Sequence, residues 1–240
     1  MIETPSVERP RDPVHGSADH EIKFAVPTSA AGPLRAWVGA VCRPDPVHPP
    51  DRVTTVYFDT PDLAFLMEKV DSDYLKTKVR VRWYGAVAGR LSTAFAEVKQ
   101  RVGNTRDKVR VTLEVPAADL ARWPLYDPRW PSLLGGLREA GPRLPTPLAP
   151  VLSLTYTRLR FVDVASGARV TIDSNIQAAG VNLALVPGHA PVGLDALVFE
   201  YKGRAFDLPR HLHALVRFGA RRQAFSKYLA CYQAVTRLTL

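Results

Sequence analysis

Residues 74–84, YLKTKVRVRWY, decide how this chain folds. Cations occupy every second position of the stretch, at Lys76, Lys78, Arg80 and Arg82, and mostly apolar residues stand between them. Because alternate side chains of a β-strand point to opposite faces, all four cations share one face and the other face is suited to burial. Like charges in such a row repel one another, so we expect an anionic group opposite them.

The whole chain is basic and contains few cysteines. Its 240 residues, 46% of them hydrophobic and 23% charged, suffice for one sizeable core. The net charge of +9 indicates an anionic partner such as nucleic acid, a membrane surface, a nucleotide or polyphosphate. Cys42 and Cys231 are isolated thiols that provide neither a disulfide framework nor a CxxC metal pattern. The sequence has no apolar run long enough to span a bilayer and no signal-peptide pattern, so we expect a cytoplasmic protein.

Periodicity divides the chain into a lead-in and one domain. Residues 1–18 lack periodicity and are predicted to be disordered, whereas residues 19–240 are predicted to form a single domain. Segments with the pattern of strands are 19–24, 53–60, 74–84, 93–101, 106–115, 152–162, 169–173 and 197–202. Segments with the pattern of helices are 33–41, 61–69, 211–217 and 226–235. Residues 116–150 are interpreted as a helical insert packed on the outside of the sheet.

Charged residues two positions apart recur in most of these strands. The pairs are Glu21 and Lys23, Glu97 and Lys99, Lys108 and Arg110, Arg158 and Arg160, Thr171 and Asp173, and Glu200 and Lys202. For any single strand the simplest interpretation is a solvated face with surface ion pairs. Across the whole set the cations outnumber the acids and cluster on adjacent strands, which favours a common charged surface.

A closed antiparallel barrel would bring these faces together, because its interior and exterior residues alternate along every strand. A lumen rich in lysine and arginine is stable only when it holds anions or water. Carboxylates on the same surface would repel phosphate unless a cation lies between them, and Mg²⁺ or Mn²⁺ commonly bridges carboxylates to phosphates. The pattern therefore predicts a site for a metal with polyphosphate or a nucleoside triphosphate.

Eight motifs in order resemble the catalytic domain of the vacuolar transporter chaperone (VTC) polyphosphate polymerases, within the triphosphate tunnel metalloenzyme or CYTH superfamily. The resemblance covers about residues 19–235. It consists of Glu21-x-Lys23, Tyr57-Phe-Asp59-Thr, Lys76-x-Lys78-x-Arg80-x-Arg82-Trp-Tyr, Glu97-x-Lys99, Tyr156-x-Arg158, Thr171-Ile-Asp173, Glu200-x-Lys202 and Phe225-Ser-Lys227-Tyr. It implies an α+β fold in which an eight-stranded antiparallel β-barrel forms a triphosphate tunnel, with helices packed outside.

The same resemblance implies roles for individual residues. The catalytic phosphate ligands would be Lys23, Arg80, Arg82, Lys99, Arg158 and Lys227. Further phosphate-binding residues would be Lys76, Lys78, Lys108, Arg110 and Lys202, and the ligands of Mn²⁺ or Mg²⁺ would be Glu200, Glu21 and Glu97. Asp19 stands at the first acidic place of the superfamily's Glu-x-Glu-x-Lys opening. The sequence contains neither the membrane helices nor the phosphate-sensing domain of the eukaryotic VTC proteins, so translocation of a product would need a separate membrane partner.

The function that follows is transfer of the ATP γ-phosphoryl group to a growing chain of inorganic polyphosphate. One alternative is hydrolysis of tri- or polyphosphate in the same tunnel, with Glu21, Glu97 or Glu114 activating water. A non-catalytic polyphosphate-binding module is another. Binding of nucleic acid suits the charge, but the recurring carboxylates on the same faces argue against a groove that follows a nucleic-acid backbone.

Overall fold

A computed structural model describes residues 7–8, 20–86, 93–103 and 105–239. The described strands are β1 Val7–Glu8, β2 His20–Val26, β3 Cys42–Pro44, β4 Asp51–Asp59, β5 Leu75–Ala86, β6 Ala94–Val102, β7 Thr105–Leu113, β8 Ala149–Asp163, β9 Arg169–Val181, β10 Val192–Gly193, β11 Leu197–Gly203 and β12 Arg221–Arg222. The α-helices are α1 Ala31–Val41, α2 Ala64–Val70, α3 Ala117–Leu120, α4 Gly135–Ala140 and α5 Lys227–Thr236. Short 3-10 helices occupy Thr28–Ala30, Trp130–Leu134 and Arg210–Phe218. Apart from β1, the predicted disordered lead-in lies outside the described residues.

All of the described strands belong to one sheet, and its paired strands are antiparallel. The main order is β1-β7-β6-β5-β4-β8-β9-β11-β2-β12, while β10 pairs with β9 and β3 with β8. The α+β class and the antiparallel arrangement are therefore confirmed. The closed eight-stranded barrel is not: within the described ranges no ladder joins β7 to β2, because the outer edge of β7 pairs with β1 and that of β2 with β12.

The register places the charged positions on one face, which we call the inner face. Tyr57 lies opposite Arg80, Arg80 opposite Glu97, and Glu97 opposite Arg110, across β4 to β7. Residues directly opposite each other in an antiparallel sheet project to the same side. On the other half of the sheet, Glu200 of β11 lies directly opposite Lys23 of β2. The predicted common charged face is thus present in the sheet.

The outer face carries two apolar cores, one on each half of the sheet. Val79, Val81 and Trp83, which alternate with the cations of β5, pack with Trp130 and Leu137 from the 116–150 insert. The predicted position of the insert outside the sheet is confirmed. On the other half α1 and the 3-10 helix Arg210–Phe218 cover the outer face of β2, β9 and β11.

Helix α5 differs from the prediction that helices pack outside, because it lies on the inner face. The ring of Tyr228 stacks on that of Tyr57 with centroids 4.9 Å apart and planes at 7°. Cys231 of α5 is buried in the same core as Leu152 and Leu154. This helix has apolar side chains to bury, and here they cover apolar inner-face positions of β4 and β8. The inner face is therefore apolar under α5 and charged beyond it.

Candidate phosphate-binding site

A cavity of about 460 Å³, which we call the phosphate cavity, opens on the charged part of the inner face. Among the described residues, eight cations and one carboxylate line it, so the formal charge of this ionisable lining is +7. The cations are Lys23, Lys69, Lys76, Lys78, Lys99, Arg101, Arg106 and Arg222, and the carboxylate is Glu21. Segment 222–226, which leads into α5, forms another part of the wall. Such a lining is complementary to a multiply charged anion.

Lys78 is a cation of the phosphate cavity whose pKa is strongly lowered. Burial, reinforced by the charges of Lys23, Lys99 and Arg80, lowers the pKa of Lys78 to about 7. No hydrogen bond or ion pair links its ammonium to another described residue. An anion in the cavity would therefore supply the first direct partner for Lys78 and would stabilise its charged form.

Two carboxylates flank Lys23 across neighbouring strands. Lys23 Nζ lies 2.5 Å from Glu21 Oε1 and 3.7 Å from Glu200 Oε2, and Glu200 is directly opposite Lys23 in the register of β11 and β2. Burial raises the pKa of Glu21, but Lys23 and Lys99 outweigh this effect and lower it to about 2. Burial would lower the pKa of Lys23, yet Glu200 and Glu21 raise it above the ordinary value. Lys23 and Glu21 are therefore both ionised at neutral pH.

Glu97 holds three cations on β5 and β7 in fixed positions. It is only 1% exposed, and its Oε2 accepts from Arg80 at 2.6–2.7 Å. Its Oε1 accepts from Arg110 at 2.6–2.7 Å and from Lys108 at 3.0 Å. Burial raises the pKa of Glu97, but the charges of Arg80, Arg82, Lys108 and Arg110 hold it well below the usual range. The carboxylate thus anchors a cationic cluster that keeps an excess of positive charge.

Asp173 plays the same part on the other half of the inner face. This fully buried carboxylate accepts from Arg158 at 2.6 and 2.7 Å and from Lys227 at 2.6 Å. Burial raises the pKa of Asp173, but Arg158 and Lys227 lower it far below the ordinary value. Lys227 is the first residue of α5, and the Ser226 hydroxyl caps that helix by accepting from the Leu229 amide. The site therefore includes α5 through an ion pair that links the helix to the sheet.

The structure sorts the predicted residues into groups. Lys23, Lys76, Lys78, Lys99 and Glu21 line the phosphate cavity, whereas Arg80, Lys108 and Arg110 surround Glu97. Arg82 is buried and donates from Nε to Thr55 at 3.0 Å, and Arg158 and Lys227 hold Asp173. Lys202 lines a separate pocket. The prediction of Glu97 as a metal ligand does not suit this geometry, because both of its oxygens already accept from cations.

Sequence reasoning did not assign four of the described cations of the phosphate cavity, namely Lys69, Arg101, Arg106 and Arg222. Arg101 and Arg106 lie on predicted strands, whereas the other two do not. Lys69 lies in the last turn of α2, ahead of β5, and Arg222 belongs to the two-residue strand β12. Neither residue lies in an alternating pattern. The available signals were only their positions beside motifs: Lys69 precedes the cationic strand, and the Arg221-Arg222 pair precedes Phe225-Ser-Lys227.

Glu21 and Glu200 are the carboxylates best placed to hold a divalent metal. Among the described residues no group of three or more His, Cys, Asp and Glu is arranged to bind a metal ion. Mg²⁺ is nevertheless commonly bound by one or two carboxylates together with substrate phosphates and water. Two carboxylates beside a phosphate cavity fit that donor set, with Lys23 between them in the ligand-free arrangement.

An open antiparallel sheet whose inner face carries a cationic cavity is the architecture of an anion-binding protein. The family of the VTC domain matches residues 18–236, and the chain belongs to this family. The resemblance predicted from the motifs is thereby confirmed. The family supports a role connected with polyphosphate or with the binding of triphosphate. No curated protein matches the sequence.

Solved structures with a similar course of the chain share little sequence. One, from Vibrio parahaemolyticus and provisionally assigned as an adenylate cyclase, is 13% identical with a TM-score of 0.46, over 90% of this chain and 99% of that one. Another, from Bacillus halodurans with the same provisional assignment, is 15% identical with a TM-score of 0.45, over 93% and 94%. A conserved protein of unknown function from Pyrococcus furiosus is 8% identical with a TM-score of 0.39, over 83% and 86%. Within the described ranges, every helix is too short or too polar to cross a membrane.

Proposed function

We propose that the protein is a polyphosphate polymerase that transfers the γ-phosphoryl group of ATP to the end of an inorganic polyphosphate chain. The observation that carries the proposal is the phosphate cavity, whose lining has eight cations against one carboxylate. A chain of phosphates carries repeated negative charge, which is complementary to the many cations of this lining. Phosphoryl transfer needs positioning and charge stabilisation more than covalent participation by the protein.

The residues divide the work by how they are held. Glu97 holds the Nε and Nη2 groups of Arg80 and Arg110, so the donors left for phosphate oxygens are the guanidinium hydrogens that these contacts do not use. Because these donors are held before the ligand arrives, little reorganisation is needed when charge develops in the transition state. Lys78 has no such anchor among the described residues, and Lys99 has only the contact with Glu21 at 3.8 Å. Both lysines would neutralise the chain inside the cavity.

A divalent ion, Mn²⁺ or Mg²⁺, would lower the negative charge on the reacting phosphates when it is bound. Glu21 and Glu200 would hold it, because Glu21 lines the phosphate cavity and Glu200 lies directly opposite Lys23, which contacts both carboxylates. When phosphate oxygens approach, Lys23 can exchange a carboxylate partner for a phosphate without losing its charge compensation.

Hydrolysis is the weaker alternative because the carboxylates proposed to activate water are poor bases here. The pKa of Glu97 is held well below its usual range and that of Glu21 is lowered to about 2. A general base works best with a pKa near the working pH. Glu114 is exposed and follows the end of β7.

The test is incubation with ATP labelled at the γ-phosphate, in the presence of Mn²⁺ or Mg²⁺, followed by gel electrophoresis of the products. We expect a label in acid-labile polymer, with ADP released in equal amount. The variant Lys78→Ala should lose polymer synthesis, whereas Arg35→Gln, which removes a charge from exposed α1, should keep it. Release of orthophosphate without polymer would refute the proposal in favour of hydrolysis, and binding without turnover under either metal would leave only a polyphosphate-binding module.

A further inference from the structure

A second cation-lined pocket lies at the edge of the sheet where β9 begins and β11 ends. Its volume is about 650 Å³, and we call it the rim pocket. Arg169, Lys202 and Arg204 line it, and its lining within the described ranges contains no aspartate or glutamate. Three cations with no carboxylate among them favour an anion as the occupant.

The rim pocket continues the charged surface of the phosphate cavity. Lys202 lies directly opposite Glu21 on one side and directly opposite Arg169 on the other, in the registers of β11 with β2 and with β9. Glu21 is part of the wall of the phosphate cavity. Because directly opposite residues have Cβ atoms roughly 5 Å apart, Lys202 on β11 and Arg169 on β9 continue the charged surface from Glu21 on β2 across the next two strands.

The hydroxyl groups of the rim pocket are committed to other partners. Ser166 Oγ donates to the buried carboxylate of Asp163 and lies 3.2 Å from the Tyr201 hydroxyl. Because the hydrogen of Ser166 goes to Asp163, the Tyr201 hydroxyl is the donor toward Ser166. Lys202 and Arg204 therefore provide charged donors for a ligand, and charge-assisted donors are best matched by phosphate oxygens.

We propose that the rim pocket binds the part of a polyphosphate chain that extends beyond the phosphate cavity. This inference rests on the proposed function, since it takes polyphosphate as the ligand. A short ligand such as triphosphate occupies the phosphate cavity alone. A longer chain reaches both sites in one molecule, so the second contact raises its affinity by effective concentration rather than by a stronger first contact.

The test compares the binding of tripolyphosphate and of long-chain polyphosphate at one fixed ionic strength, with no ATP present. Loss of one charge-assisted contact should weaken the binding of the long chain about tenfold in Arg204→Gln and in Lys202→Gln. Arg204→Gln should leave the affinity for tripolyphosphate unchanged. Arg217→Gln is the matched control, because it removes the same charge from an exposed position of the 3-10 helix Arg210–Phe218.

An equal loss of affinity for both ligands in Arg204→Gln would overturn the inference, because it would show an effect of net charge or of the cavity itself. Unchanged binding of the long chain in both variants would overturn it as well. The assay needs no turnover, so its result is separate from that of the polymerase test. If the wild-type protein makes no polymer but Arg204→Gln binds the long chain more weakly than the wild-type protein does, the proposed function is refuted and the role of the rim pocket is supported.

Discussion

Replacing Lys78 with methionine tests the phosphate cavity through the pH dependence of ligand binding. In the free protein, burial together with Lys23 and Lys99 lowers the pKa of Lys78 from 10.5 to about 7. A bound phosphate stabilises the ammonium and moves its pKa back toward the ordinary value. Above pH 7 the complex therefore keeps a proton that the free protein has lost, and the affinity must fall as the pH rises.

The magnitude follows from linkage for one proton. With a pKa near 7 in the free protein and full protonation in the complex, Lys78 alone makes the affinity for tripolyphosphate decrease roughly 15-fold between pH 7 and 8.5. The last proton of tripolyphosphate also titrates in this range, but its contribution is the same for every variant, so the quantity to compare is the difference between the wild-type protein and Lys78→Met. This roughly 15-fold difference should be seen because methionine keeps most of the length of the side chain but cannot take up a proton.

Isothermal titration calorimetry at pH 8, in two buffers with different heats of ionisation, measures the proton uptake directly. We expect the wild-type protein and the control Arg35→Gln to take up nearly one proton more per ligand than Lys78→Met does. Equal proton exchange in Lys78→Met and in the wild-type protein would refute both the assignment of the titrating group and the proposed contact between Lys78 and phosphate.

Three other perturbations address how the site is held. Glu97→Gln leaves buried cations without their carboxylate, so we expect the free energy of unfolding in urea to fall by about 3–5 kcal/mol. Polyphosphate should restore part of this loss. Unchanged stability would contradict the anchoring role of Glu97. Tyr228→Phe removes the hydroxyl that donates to the buried carboxylate of Asp59 at 2.9 Å. We expect the free energy of unfolding to fall by about 1–3 kcal/mol and the ligand affinity to stay unchanged. A larger effect on affinity than on stability would argue against a structural role. The pKa values of Asp173 and Glu97 lie far below those of the same residues in an unfolded chain. The stability that these carboxylates contribute is therefore present above the unfolded pKa of about 4 and is lost as the pH falls below it. If Asp173→Asn leaves acid unfolding unchanged, this account is contradicted.

The alternation of charges along the strands was sufficient to predict the common charged face. A period of two places residues of one strand on the same side whatever the partner strand is, so Lys76, Lys78, Arg80 and Arg82 could be assigned to one face before any pairing was known. That the charged faces of several strands coincide followed only from assuming one antiparallel sheet. The cross-strand partners were not predictable, because they depend on register. Glu97 shares a strand face with Lys99, yet its close partners are Arg80 and Arg110, which lie directly opposite on the neighbouring strands.

Whether the sheet closes, and on which face α5 lies, could not be predicted from the sequence for physical reasons. Two-residue strands such as β1 and β12 are too short to show any periodicity, yet they occupy the edges where β7 and β2 would have joined. The helical pattern of residues 226–235 indicates that side chains will be buried but not which face of the sheet will cover them. The stacking of Tyr228 on Tyr57 and the ion pair of Lys227 with Asp173 decide this only in the folded chain.

The open seam between β2 and the β6–β7 hairpin gives the phosphate cavity a way to change its width. Lys99 on β6 and Glu21 on β2 face each other across this seam at 3.8 Å, and Lys99 is 41% exposed. An ion pair so accessible to water contributes about 0–1 kcal/mol. In the part of the chain that the structure describes, no ladder joins the two edges, so separating them there to admit a bulky polyanion would break no such pairing and would cost little energy.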